Sequence, residues 1–250
     1  MTLKIYRPER FDVLPAAVLV DIDNTIYPYE PAHNAAMKSV FQRVSSLFGT
    51  ASDSEVKGAF DQARHEVKGR VGNTAASHSR LLYFHRMIEL MGMKTQIVAA
   101  LDLEQVYWRN FLKHSELFSG CRDFLLELRS VGIGLAAVTD MTSQIQFRKL
   151  VYFGIDESFD FVITSEEAGI EKPDRRIFQL ALDKLGCSAD RVWMIGDDLR
   201  RDIEGAKALG MVTLQKTHIG VMAGKGEQKA DAAFEEFEVL TETLLRGSPD

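Results

Sequence analysis

Three features of this sequence predict an α/β fold, a doubly wound parallel sheet with an inserted α-helical domain. After Gly120, short apolar runs alternate with helix-period stripes, the rhythm of parallel strands joined by crossing helices. Helices in that alternation close on glycine, at Gly154, Gly186 and Gly210. Between the first strand and the alternation, residues 29–115 show helical periodicity and no strand signal. The domain reading is therefore an α/β core of residues 1–28 and 116–250, interrupted by a helical cap of residues 29–115.

The elements follow in order. Residues 17–22 form a short apolar run that stops in "VLVDIDNTIYPYE". Met37, Val40, Phe41, Val44, Leu47 and Phe48 recur at three-and-four spacing, the stripe of an amphipathic helix. Leu81, Phe84, Ile88 and Met91 repeat it, with Ser77 placed to cap and Gly92 to terminate. Ile97, Leu101, Trp108, Phe111 and Leu112 mark a further helix. A helix at Arg122–Ser130 leads to the strand in "GIGLAAVTD". A helix through Phe147, Leu150 and Val151 leads to "FDFVITSEEAG", and one through Ile177, Phe178, Ala181 and Leu185 to "RVWMIGDD". A helix with Ile203, Ala206 and Leu209 leads to "MVTLQ", and "ADAAFEEFEVLTETLL" reads as a last strand and closing helix. "GVMAGKGEQKA" reads as an exposed loop.

Composition narrows the function. Of 250 residues, 46% are apolar and 26% charged, the balance of a soluble globular protein that folds without staples. A net charge of −6 argues against a general nucleic-acid or membrane-surface binder. The two cysteines, Cys121 and Cys187, stand far apart, which suits a reduced compartment and no metal framework. With no signal-like or spanning segment of ~20 apolar residues, a cytoplasmic monomer or small homo-oligomer is expected.

The chemistry lies at the carboxyl ends of the strands, where open α/β sheets bind ligands. The first strand ends on Asp21 and Asp23, the second on Thr139 and Asp140. The third is followed by Glu171 and Lys172, and the fourth delivers Gly196, Asp197 and Asp198, with Asp202 beyond. Carboxylates gathered this way repel one another unless a cation joins them. Oxygen donors without paired His or Cys suit a hard ion such as Mg²⁺, which takes phosphate as a co-ligand. Lys172 and Thr139 then read as phosphate holders.

"DIDNT", the strand-ending Thr139, Lys172 in "EKPD" and "GDDLRRD" resemble, in order, the four motifs of the haloacid-dehalogenase-like (HAD) hydrolases. The insert between motifs one and two resembles that family's helical cap. The resemblance implies a Rossmann-like core and a Mg²⁺-dependent phosphatase acting on a small phosphorylated metabolite, a sugar phosphate or a nucleoside monophosphate. It implies that Asp21 is the nucleophile, forming an aspartyl-phosphate. It implies that Asp23 is the general acid and then the base for water, with a pKa that a neighbouring carboxylate would raise. Thr139 would bond a phosphoryl oxygen and Lys172 would offset the charge of Asp21 and the phosphate. Asn24 and the Asp140 backbone are further phosphate-side candidates. Asp21, Asp197 and the Asp23 carbonyl would bind the metal, and Asp202 would hold a metal-bound water or orient Lys172.

Competing readings stand beside these. Asp140 departs from the Asn common at its place, and Asp198 reads as an N-cap rather than a ligand. Asp202 also reads as an acid at a helix N-terminus. His78, Arg80, His85 and Arg86 share one predicted helix; Arg80 is a candidate for substrate binding, and a solvated basic face is the alternative. Tyr27 and Tyr29 either stack on substrate or pack. A phosphomutase or a haloacid dehalogenase of the same superfamily, and a non-catalytic phospho-receiver-like module, are the alternative functions. Asp23 and Asp197 speak against the dehalogenase, and the long insert after the first strand against the receiver.

Overall fold

The computed structural model describes residues 3–49, 52–226 and 229–245. It divides into two compact units, Met1–Pro28 with Glu116–Asp250, and Tyr29–Ser115.

The first unit holds a seven-stranded sheet. Its strands are β1 (Leu3–Ile5), β2 (Ala17–Val20), β3 (Gly134–Thr139), β4 (Phe161–Thr164), β5 (Val192–Gly196), β6 (Val212–Lys216) and β7 (Ala232–Phe234), in the order β1-β7-β6-β5-β2-β3-β4. All pairs are parallel except β1 with β7, which is antiparallel, with Leu3 opposite Phe234. The sheet is therefore mixed at one edge. β1 escapes the sequence reading because three residues are too few to show a period.

Every residue of β2 is buried, as a central strand covered on both faces requires. β3 and β4 continue to one side of β2, while β5, β6 and β7 continue to the other. The chain thus reverses direction across the sheet between β2 and β5, and that switch opens a crevice at their carboxyl ends. β2 stops at Val20, but the Asp21 N–H still donates to the Ile195 carbonyl at 2.9 Å, which fixes the first acid beside β5.

The helices of the first unit cover this sheet. Helix α8 (Arg175–Leu185) lays Ile177, Phe178, Ala181 and Leu182 against Leu19, Val138, Ile163 and Met194. Around it are α5 (Cys121–Ser130), α6 (Ser143–Phe153), the single turn α7 (Ser165–Ala168), α9 (Gly205–Lys207) and α10 (Phe237–Leu240). On α6 the apolar pattern misleads: Phe147 and Val151 face solvent, while Gln146 and Lys149 are buried with Ile145, Leu150 and Phe153. The stretch read as a loop, "GVMAGKGEQKA", is tied at Gly224, whose N–H donates to Gln215 Oε1 at 2.9 Å; its Glu227 and Gln228 lie outside the described residues.

The second unit is built of α1 (Tyr29–Phe48), α2 (Asp53–Val71), α3 (Arg80–Leu90) and α4 (Ile97–Lys113). α1 packs chiefly on α4, and α2 on α3. α2 has a capping box, with Ser52 and Glu55 each accepting the other's backbone N–H, and it buries Val56, Phe60, Ala63 and Val67 at helical spacing. The α3 cap is Ser79, whose hydroxyl accepts the Leu82 N–H at 3.3 Å; the expected cap, Ser77, sits in a preceding 3₁₀ turn with His78. Gly92, with φ of 81°, follows the end of α3 in the left-handed region that glycine enters without a Cβ penalty. Among the described residues no helix is long and apolar enough to cross a membrane.

Candidate active site

The tight turn after β2 places the first acids. Asn24 has φ of 67°, a left-handed conformation that asparagine tolerates better than most residues. The turn brings Thr25 back over Asp21: its hydroxyl lies 3.0 Å from Asp21 Oδ2 and 3.3 Å from Asp197 Oδ1, and accepts the Asp197 N–H at 3.0 Å. Thr25 therefore links the ends of β2 and β5. Asn24 adds a second link, donating to Asp197 Oδ2 at 2.7 Å.

Lys172 lies at the centre. Its ammonium donates to Asp21 Oδ1 at 2.6 Å, to Asp202 Oδ1 at 2.7 Å and to the Val138 carbonyl at 3.0 Å, which uses all three of its protons. Burial alone would push this amine down, but Asp202, Asp21 and Asp140 outweigh it and hold Lys172 charged, well above its ordinary range. Asp202 is buried in the π-helical turn Leu199–Glu204, and its second oxygen accepts the Asp198 N–H at 3.0 Å. Gly196 makes room for it: a Cβ there would stand 2.3 Å from Asp202 Oδ2.

Oxygens of Asp21, Asp197 and Asp202 lie within 4.8 Å of one another. Burial, and then the charge of Asp21, push the Asp197 carboxyl up to about 7. That surplus of negative charge is what a cation would relieve, and the all-oxygen donor set fits a hard divalent ion. Both Asp202 oxygens are already engaged by Lys172 and the Asp198 N–H. Asp21 Oδ2 and Asp197 Oδ1 share the single proton of the Thr25 hydroxyl, which leaves these two acids an oxygen that an ion would take.

Asp198 caps the following turn, its Oδ1 accepting the Arg200 and Arg201 N–H groups at 2.9 Å. Asp140 is spent structurally. Its Oδ1 accepts the Lys172 backbone N–H at 2.9 Å, and its Oδ2 lies 3.4 Å from Arg201 Nη1. The carboxylate that stands where Asn is common thus fastens the Lys172 loop to the end of β3.

Thr139 is fully buried and accepts from Gln146 Nε2 at 2.7 Å. Asp23 stands apart from the Lys172 group. Its Oδ1 accepts Lys149 Nζ at 2.5 Å and the Tyr27 hydroxyl, and its Oδ2 accepts Gln146 Nε2 at 2.8 Å. The sequence reading expected a raised pKa there. Burial does push the carboxyl up, but the charge of Lys149 and the hydrogen bonds from Lys149, Tyr27 and Gln146 outweigh it and bring it below the usual range. Thr25, Gln146 and Lys149 carried no role in the sequence reading. The available signal was two polar residues at i, i+3 on the face of α6 that also carries Ile145 and Leu150.

Arg80 lies in the helical unit, away from a solvated basic face. It is buried, donates to the His78 carbonyl at 2.8 Å and to the Tyr29 hydroxyl, and sits 5.2–5.5 Å from the Tyr83, Tyr107 and Trp108 ring centres. Arg86 pairs with Glu66 at 2.7 Å and Glu89 at 2.8 Å. Tyr29 packs among His33 and Phe111, and Tyr27 against Phe153.

Comparison with known proteins bears on the same residues. The model of the haloacid dehalogenase-like hydrolase family matches residues 15–210. A ribulose-1,5-bisphosphate 5-phosphatase of Halopiger xanaduensis is 41% identical over 202 residues, 80% of this chain and 84% of that protein. A glyceraldehyde 3-phosphate phosphatase of Methanopyrus kandleri is 29% identical over 80% of this chain and 82% of its own. The crystal structure of a HAD phosphatase from Thermococcus onnurineus superposes with a TM-score of 0.69 at 27% identity, covering 91% of this chain and 97% of that one. Strand order, the acids around Lys172 and these relatives agree: the chain is a phosphoric monoester hydrolase and belongs to the haloacid dehalogenase-like hydrolase family.

Proposed function

We propose that the protein is a Mg²⁺-dependent phosphatase that hydrolyses a small phosphorylated sugar through an aspartyl-phosphate on Asp21. The observation that carries this reading is the buried Asp21 carboxylate, with Lys172 on one oxygen and Thr25 on the other. A carboxylate oriented by two donors, beside an amine that remains charged, is a nucleophile prepared for an anionic ester.

In the first half-reaction an Asp21 oxygen attacks phosphorus, the ester P–O bond breaks, and the departing alkoxide takes a proton from Asp23, which has to enter this step protonated against the pull of Lys149. In the second, Asp23 takes a proton from water, the water oxygen attacks phosphorus, and the P–O bond to Asp21 breaks to return the carboxylate and release phosphate. Thr139 holds a phosphoryl oxygen, with Asn24 and the Asp140 backbone alongside, and the charge of Lys172 offsets that of Asp21 and the phosphate. Asp21, Asp197 and the Asp23 carbonyl would hold Mg²⁺, with Asp202 keeping Lys172 in place. When bound, the ion supplies positive charge that lets an anionic oxygen approach an anionic ester.

Substrate class rests on the relatives, whose names specify a sugar bisphosphate and a triose phosphate. Arg80 is assigned to the non-reacting end of the substrate. Its support is chemical: a guanidinium in an aromatic setting, with a buried Nε that has no hydrogen-bond partner among the described residues.

The test is a phosphate-release screen over triose, pentose and hexose phosphates, sugar bisphosphates and nucleoside monophosphates, with Mg²⁺ and with EDTA. Release from sugar esters that EDTA stops and Mg²⁺ restores is expected. Faster release from nucleoside monophosphates would overturn the substrate class, and full activity in EDTA would overturn the metal.

A further inference from the structure

We propose that Gln146 and Lys149 are positioning residues that fix the Asp23 carboxylate over the phosphate site, so that it can take the proton of the hydrolytic water. The inference rests on the phosphatase reading above. Its basis is geometric. The two side chains stand one turn apart on α6 and are both fully buried. Between them they engage both oxygens of Asp23, Lys149 at Oδ1 and Gln146 at Oδ2.

Gln146 does more than hold Asp23. The same Nε2 lies 2.7 Å from Thr139 Oγ1 and 2.9 Å from the Asp140 carbonyl, so one amide joins the Asp23 carboxylate to the hydroxyl at the end of β3. Three acceptors crowd an NH₂ group that has two protons. Meanwhile Gln146 Oε1 is buried with no hydrogen-bond partner among the described residues. A buried amide that leaves its own carbonyl unsatisfied is a poor packing element; its NH₂ sets its orientation. Lys149 is equally ill suited to packing, since a lysine is rarely fully buried without an acid to meet. Tyr27, donating to the same Oδ1, closes the set from the turn after β2.

The arrangement explains why the face of α6 that carries Gln146 and Lys149 departs from its apolar period. The loop that launches α6 is constrained as well: Met141 has φ of 119°, in the left-handed region, and its N–H donates to Ser165 Oγ at 2.9 Å. Ser143 Oγ at the start of α6 also lies 2.8 Å from Thr164 Oγ1 at the end of β4, so the first turn of the helix that carries Gln146 and Lys149 is fixed to the sheet.

In the second half-reaction the water O–H bond breaks toward an Asp23 oxygen while its oxygen bonds to phosphorus and the Asp21–phosphorus bond breaks. An Asp23 free to rotate would leave that water unactivated, and the phosphoenzyme would persist. p-Nitrophenyl phosphate isolates this step, because its phenolate leaves without a proton. With Lys149→Met, and separately with Gln146→Leu and Tyr27→Phe, we expect a burst of p-nitrophenolate followed by slow turnover. For Lys149→Met the steady rate should fall about 10²-fold, the share a positioned base contributes, with a burst amplitude approaching one per active site and a phosphorylated protein visible by intact mass. Tyr27→Phe, which removes a single hydroxyl, should show the same behaviour more mildly and serves where the buried variants fold poorly.

A wild-type protein that releases no p-nitrophenolate with Mg²⁺ would overturn the phosphatase reading and the inference with it. An active wild type whose folded variants keep their steady rate, or lose burst and steady rate together, would overturn the inference alone.

Discussion

At the scale of the residue, the site is governed by how one buried amine is shared. Lys172 holds Asp21 and Asp202 together at 2.6 and 2.7 Å, and all three side chains are nearly withdrawn from water. Such a set stabilises little when complete but leaves uncompensated buried charge when broken. Lys172→Met is therefore expected to lower unfolding stability by about 3–5 kcal/mol and to remove activity, read by urea titration and by phosphate release. A stability loss below about 1 kcal/mol, the range of a solvated pair, would show that the amine is not the centre of the site. The sequence marks these acids and this lysine well, because Asp21 directly follows β2 while Lys172 and Asp202 lie in the segments that follow β4 and β5. It marks Gln146 and Lys149 poorly: on a helix, a polar residue reads as solvated unless its neighbours show that the face is buried. It also misjudges Asp23, since the expected neighbour was a carboxylate and the actual one is an ammonium from a distant helix.

At the scale of the element, glycine and histidine give two tests. Gly196→Ala would set a methyl 2.3 Å from Asp202 Oδ2, in a position where the neighbour is itself held by Lys172. A loss of activity larger than the loss of melting temperature is expected, because displacing Asp202 also shifts Lys172; an alanine variant with wild-type turnover would contradict the close approach. In the helical unit, His33 is hydrogen-bonded to the Tyr107 hydroxyl at 2.8 Å, and burial, then Arg80 and Arg64, push its pKa down to about 4 from 6.5. The unfolded chain then binds the proton more readily than the folded one between these values, so stability present above pH 6.5 is lost as pH falls toward 4. His33→Gln is expected to destabilise the protein at pH 7.5 by about 1 kcal/mol through the lost hydrogen bond. The gap between wild type and variant should narrow below pH 6.5, measured by thermal melts across that range. A constant gap would mean His33 is not held neutral. Element type was readable from period and glycine ends, as for α8 before Gly186. Caps and faces were harder: Ser77 and Ser79 offer the same chemistry two residues apart, and only the backbone conformation selects Ser79.

At the scale of the whole molecule, the fold class was legible because a buried parallel strand writes itself as an unbroken apolar run, and "AVLV", "GLAAVT" and "VWMIG" all do. The antiparallel edge formed by β1 was not legible, being three residues long and recognised only by its partner β7. The switch in strand order between β2 and β5 gathers the acids, and family membership agrees with that gathering. The central claim of the proposed mechanism is the nucleophile Asp21, and it can be tested directly. The measurement is an acid quench during turnover of p-nitrophenyl phosphate with Mg²⁺, followed by borohydride reduction and peptide mass spectrometry. The expected result is a reduced aspartyl-phosphate at Asp21 alone, absent from Asp21→Asn, which should also lose turnover by about 10³-fold or more. Turnover with no modified Asp21, or an Asp21→Asn protein that works at the wild-type rate, would contradict it.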